Sequence, residues 1–358
     1  HPFIIVDGPH TFGLLIDYPG RIIFDIGFTN RDIMEIDLPD ANFDLYLFDE
    51  SNKLEIIRQV LRLTGTPYVP PRWAFGFMQC RWSYPDAPSI REIADGFRES
   101  DIPCDAIFMD IDYMQDYKVF TVSDERFPQF PEFIREMGER GFKLVPIIDP
   151  GVKIEKGYRV YEEGCSKGFF CTNKEGKNFV VAVWPGLTHL PDFLNPDVRQ
   201  WWADLYMPLI KMGIPGFWND MNEPSLFYTP DATYQLLRTL KKSSIRKLRS
   251  LNVSDFLGQI FGISQNPEYY KQFYHRQPDG SRVLNDKVHN LYGYNMTRAT
   301  AQAFRQVNPD KRYFLLSRSS TTGLHRYATI WMGDNDSWWE HMLTQIRMTL
   351  ALNMSGYF

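Results

Sequence analysis

What most constrains this chain is an alternation that begins near residue 67. AFGFMQ, DAIFMDID, KLVPIIDP, IPGFWND, RYFLLSRS and ATIWMGD read as short apolar strands, and helical patterns lie among them. In SIREIADGFRES, Ile90, Ile93 and Phe97 recur on one helix face, and PEFIREMGERG carries Gly141 as a helix stop. DVRQWWADLYMPLIKMG sets Trp202, Leu205 and Leu209 on one side, and WWEHMLTQIRMTLAL reads as a further helix. Strands alternating with helices form a parallel sheet, because each crossover returns the chain to run in the same direction. Arg81, Asp110, Asp149, Asp220, Arg318 and Asp334 stand at or just beyond the strand ends. In an open doubly wound sheet such groups would gather at the switch point; spread over nearly every strand, they fit the C-terminal rim of a (β/α)8 TIM barrel.

Residues 1–66 have a different rhythm. FIIV, TFGLLIDY, RIIFDIGF and FDLYLFDE are β-rich runs broken by Gly, Pro and Asn, followed by a helix over roughly 52–64. The polar, charged stretch from about 228 to 292 interrupts the alternation and reads as an insertion after the fourth strand. No glycine-rich phosphate loop appears, which weighs against a nucleotide-dependent oxidoreductase. A net charge of −5 leaves no basic footprint for nucleic acid, and no apolar run is long enough to suggest a membrane span. The opening HPFIIVDG offers no signal peptide to read, and Cys80, Cys104, Cys165 and Cys171 lack zinc spacing. Free thiols in a reducing cytoplasm are the plainer expectation.

Within this frame GIPGFWNDMNEPSLF, residues 213–227, is the most pointed stretch. It ends an apolar strand and then places Asp220, Asn222 and Glu223 before Pro224. Asp334 follows ATIWMG in the same manner. Two carboxyls flanking a glycosidic bond are what its cleavage requires, and no histidine cluster accompanies them as a metal cage would. Asp is also a favoured helix N-cap, so the pattern alone leaves both readings open. Aromatic residues make up 15% of the chain, a composition that suits rings packed against the CH faces of sugars.

WNDMNEPS resembles the nucleophile motif of glycoside hydrolase family 31, the α-glucosidases. FMQCRWSY, FMDIDYMQDYKVFTV, IIDPGV, AVWPGLTHLPDFLNP and LSRSSTTGLHRYATIWMGDN resemble other blocks of the family, in its order. The resemblance implies a retaining mechanism with Asp220 as nucleophile and Asp334 as general acid/base. It implies Asp110 as a ligand of sugar hydroxyls and Arg318 as the arginine beside the nucleophile. Trp82, Ile111, Ile147, Trp184, Trp218, Met221 and Trp331 would wall the first glucose subsite, although Ile111, Ile147 and Met221 also read as barrel core. Glu223, Asp112 and Asp149 read as supporting groups. Arg318 is expected to keep Asp220 ionised while Asp334 stays protonated.

The resemblance also implies a division into residues 1–66, the last part of an N-terminal β-sandwich, and 67–358, a barrel truncated after its sixth strand region. The expected activity is removal of terminal α-1,4- or α-1,6-linked glucose from oligosaccharides such as maltose or isomaltose, with no cofactor and no metal. Glucosidase II-like trimming, transglucosylation or lyase chemistry, and a catalytically silent carbohydrate-binding chain are the alternatives. Homo-oligomerisation is left open.

Overall fold

The computed structural model describes residues 1–230, 232, 234 and 266–357; the stretch 235–265 of the expected insertion lies outside the described residues. The N-terminal strands are β1 (Phe3–Val6), β2 (Phe12–Asp17), β3 (Ile23–Ile26), β4 (Met34–Asp37) and β5 (Asp44–Asp49). β1, β2 and β5 form an antiparallel sheet with β2 in the middle, while β3 and β4 pair separately. MEID, which becomes β4, is a strand beyond the four expected runs. Helix α1 (Lys53–Thr64) starts where the Asn52 side chain accepts a hydrogen bond from the Leu54 amide at 2.9 Å. Its Ile56 and Val60 bury against Phe3, Leu15 and Phe48, forming a small core under this sheet.

The main sheet has six strands in the order β16-β15-β12-β8-β7-β6, every neighbour parallel. These are β6 (Met78–Gln79), β7 (Ala106–Met109), β8 (Lys143–Ile148), β12 (Gly216–Asn219), β15 (Phe314–Ser317) and β16 (Thr329–Ile330). Their helices are α2 (Ala87–Glu99), α3 (Phe130–Glu139) and α5 (Pro196–Met212), with α4 (Arg159–Lys167) in the connection after β8. All four residues of β7 and of β12 are buried, the continuous apolar run expected of a strand covered on both faces.

The outward face meets helices: Phe217 of β12 lies 4.7 Å, ring to ring, from Tyr206 of α5 and 5.6 Å from Phe304. The inward face fills the barrel: Trp218 packs edge-on against Phe108 at 5.9 Å and Trp331 at 5.6 Å. Gly216 opens β12 because a Cβ there would fall 2.7 Å from the Phe314 carbonyl oxygen of β15. Gly213, at φ 113°, ends α5 in the left-handed conformation that glycine tolerates.

Three short strands, β9 (Val152–Lys153), β10 (Val181–Val183) and β11 (Gly186–His189), form an antiparallel flap beyond β8. Strands β13 (Tyr274–Arg276) and β14 (Arg282–Leu284) pair in a hairpin, α6 (Asn285–Val288) follows, and α7 (Leu291–Val307) packs along α5. A fully buried cluster ties the hairpin to the barrel. His275 Nδ1 meets Asp192 Oδ1 at 2.7 Å and Nε2 meets Asn285 Oδ1 at 3.0 Å, with Cys171 Sγ 3.6 Å from Nδ1. The last helix is α8 (Trp339–Met354). Among the described residues, no helix is long and apolar enough to cross a membrane.

Candidate active site

Asp110, Asp149, Asp220 and Arg318 each follow directly on a strand, β7, β8, β12 and β15 in turn, so parallel register carries all four to one rim. The strand before Asp220 is anchored by Asn219. Its buried amide accepts from Tyr206 Oη at 2.9 Å and donates to Thr300 Oγ1 at 3.0 Å, fixing β12 to α5 and α7. Immediately after Asp220 the chain reverses through Met221 at φ 55°, a left-handed conformation uncommon outside glycine and one that clusters at functional sites. Asn222 then stitches this loop to the next. It donates to Ser317 Oγ at 2.9 Å and accepts from the Ser319 amide at 2.9 Å, bracketing Arg318. Helix α7 closes against the same joint, where a side chain at Gly293 would collide with the Asn222 carbonyl and Ser319.

Arg318 is the hub. Its Nη1 lies 3.0 Å from Asp220 Oδ1, an ion pair at contact distance that is not aligned as a hydrogen bond. Its Nε and Nη2 grip Glu223 at 2.8 and 3.1 Å, and Nη2 also donates to Ser225 Oγ at 2.8 Å. The fork that Glu223 holds thus presents its remaining nitrogen to Asp220. Asp220 is 8% exposed, and burial pushes its carboxyl up to about 6, with Arg318 pulling the other way. Burial likewise pushes Asp110 up to about 6, against the hydrogen bond from the Ile111 amide at 2.7 Å.

A carboxyl with a raised folded-state pKa stabilises the fold at low pH, and that contribution is lost as pH climbs from about 4 to about 6. Asp220→Asn removes the buried charge. It is therefore expected to be more stable than wild type by about 1–3 kcal/mol at neutral pH and equal to it near pH 4, as read by denaturant titration. No gain at neutral pH would mean that Asp220 bears no desolvation cost.

The structure brings Trp218, Met221 and Ile147 together with Asp220 and Arg318 on adjacent strands, Trp218 standing opposite Ile147 in register. Ile111, Ile147 and Met221 are all at least 95% buried; Ile111 and Ile147 belong to the main core. Trp82 and Trp184 stand further out, 67% and 38% exposed, their rings 5.4 Å apart, with Phe227 edge-on to Trp184 at 5.1 Å.

Asp334 lies four residues past β16 rather than at its end. It is exposed, yet its charge is felt at Asp110, Asp220 and Arg318. Burial raises the Asp220 carboxyl, so that Arg318 keeps it ionised only above about pH 6. A strand-end position can be read from the residues, but the walls around it cannot. Trp331 and Asp334 border a cavity of about 530 Å³ between β16 and β6, otherwise lined largely by apolar groups such as Phe108, Trp218 and Leu316. Cys80, the first residue after β6, lines it too; the expected strand AFGFMQ ended at Gln79 as β6 does, and Cys80 was passed over for Arg81 as the polar strand-end residue.

Residues 67–358 match the sequence model of the glycosyl hydrolases family 31 TIM-barrel domain. The chain belongs to glycoside hydrolase family 31. Alpha-glucosidase 2 of Bacillus thermoamyloliquefaciens is 35% identical over 357 residues, covering 99% of this chain and 40% of its own length. An alpha-glucosidase of Saccharolobus solfataricus is 32% identical over 361 residues, covering 99% and 48%. The crystal structure of a family 31 alpha-glucosidase from Bacteroides thetaiotaomicron superposes with a TM-score of 0.78 at 32% identity, over 100% of this chain and 52% of that one. A family 31 dextranase of Flavobacterium johnsoniae, complexed with glucose, superposes with a TM-score of 0.78 at 26% identity, over 97% and 39%. This family 31 chain thus spans less than half the length of the two curated relatives.

Proposed function

We propose that this chain carries the catalytic core of a retaining exo-α-glucosidase. Asp220 attacks the anomeric carbon of a terminal glucose while Asp334 protonates the departing glycosidic oxygen. Water, deprotonated by Asp334, then releases the sugar from the glucosyl-enzyme with its α configuration restored. The observation that carries the reading is the Asp220–Arg318 pair, a buried carboxylate kept largely ionised at neutral pH by a guanidinium that Glu223 holds in place. Asp110 offers a half-buried carboxyl for a sugar hydroxyl. The exposed indoles of Trp82 and Trp184 offer faces on which the leaving sugar stacks. The alpha-glucosidase relatives support glucose as the sugar removed, and the dextranase neighbour, also described with isomaltotriose, supports α-1,6 linkages beside α-1,4.

Proton NMR during hydrolysis of an aryl α-glucoside is expected to show α-glucose first, with mutarotation following. The kcat/KM profile is expected to fall on the acid side around pH 6, where Asp220 takes up a proton. Initial release of β-glucose would refute retention.

A further inference from the structure

Asp149 follows β8 as Asp220 follows β12, and these strands are neighbours, with Ile148 opposite Asn219. It is 4% exposed, and its Oδ1 is sealed from solvent without a partner. The groups around it are already engaged. Arg318 pairs with Asp220 and Glu223; Tyr113 Oη donates to the Ile147 carbonyl at 2.9 Å, and Tyr206 Oη donates to Asn219 Oδ1 at 2.9 Å. An ionised Asp149 would set a third negative charge beside one positive charge, only 4% exposed to water and with no donor on its sealed Oδ1. That arrangement costs far more than a buried neutral acid.

Resting on the reading of Asp220 as nucleophile, we propose that Asp149 keeps its proton throughout the glycosidase cycle and is a positioning residue, a neutral wall for Asp220 that reserves Arg318 for the nucleophile. Burial, together with the charges of Asp220 and Asp110, holds its carboxyl well above the ordinary carboxylate range, and Arg318 offsets this only in part. A permanently neutral acid in an apolar enclosure is a known device for keeping a donor rather than a charge at a site.

The test combines kinetics with infrared spectroscopy. Asp149→Asn has the same shape and no charge, so the acid limb of its kcat/KM profile is expected to lie where it does in wild type. In protein labelled with carbon-13 aspartate, a protonated aspartate carboxyl band is expected to persist above neutral pH and to vanish in Asp149→Asn. An acid limb displaced downward by about one pH unit in a folded Asp149→Asn would overturn the proposal, since it requires a charged Asp149 in wild type. So would the absence of any protonated aspartate band in labelled wild type, a result that needs no variant to fold. Were Asp220 not the nucleophile, Asp220→Ala would stay active while the infrared result stood, which separates the two failures.

Discussion

Asp220→Ala is expected to lose on the order of 10⁴-fold or more in kcat, with its far-ultraviolet circular dichroism unchanged. The loss is that large because, among the described residues, the two acids beside Asp220 on the same joint cannot replace the attacking oxygen. Glu223 has both oxygens on Arg318, and Asp149 is closed into the wall beneath. Truncation also opens space beside the anomeric carbon. Azide should therefore restore turnover of an aryl α-glucoside and give the β-glucosyl azide, since a small anion entering from the Asp220 side displaces the aglycone once, with inversion. Substantial residual activity without azide, or rescue that yields the α-azide, would mean that another group attacks.

The second large effect falls on Arg318. Arg318→Met deletes the ion pair to Asp220, the two-pronged grip of Glu223 and the bond to Ser225, leaving two poorly solvated carboxylates facing each other. Breaking a buried pair by removing one partner costs about 3–5 kcal/mol, and the 20% exposure of the Arg318 side chain points to the lower end of that range. Without the guanidinium the folded-state pKa of Asp220 rises beyond about 6. The deficit is therefore full only above that raised value and shrinks as the Asp220 carboxyl protonates below it. Urea titrations above and below pH 6 should show this convergence, and the acid limb of kcat/KM should move upward. An equal deficit at every pH would mean that Arg318 contributes packing rather than charge.

The barrel was legible because its signal repeats: apolar strands ending in polar residues mark the rim, and β7, β8, β12 and β15 lie where the pattern puts them. Helix α7, which lies almost wholly past the expected insertion, was not read because LYGYNMTRATAQAF is small and polar along faces that bury against α5 and the site loops. There Thr297 and Thr300 bond to Ser317 and Asn219, so its burial is not carried by an apolar stripe. The flap strands β9–β11 are two to four residues each, too short for any period to register. At the site, the identities of Asp220 and Arg318 were readable from WNDMNEPS and LSRS. That Glu223 holds Arg318 was not, because 95 residues separate the two in sequence and only the parallel register of β12 and β15 brings them together. The exposure of Asp334 escaped for the same reason, since solvent access is set by distant segments rather than by the residues beside it.

Asp220 is expected to form a covalent bond to glucose. Incubating protein that turns over an α-glucoside with 5-fluoro-α-glucosyl fluoride, and mapping the modified peptide by mass spectrometry, tests for that bond. One fluoroglucosyl group per chain is expected, on Asp220. An adduct on any other residue, or none while the enzyme is active, would contradict it.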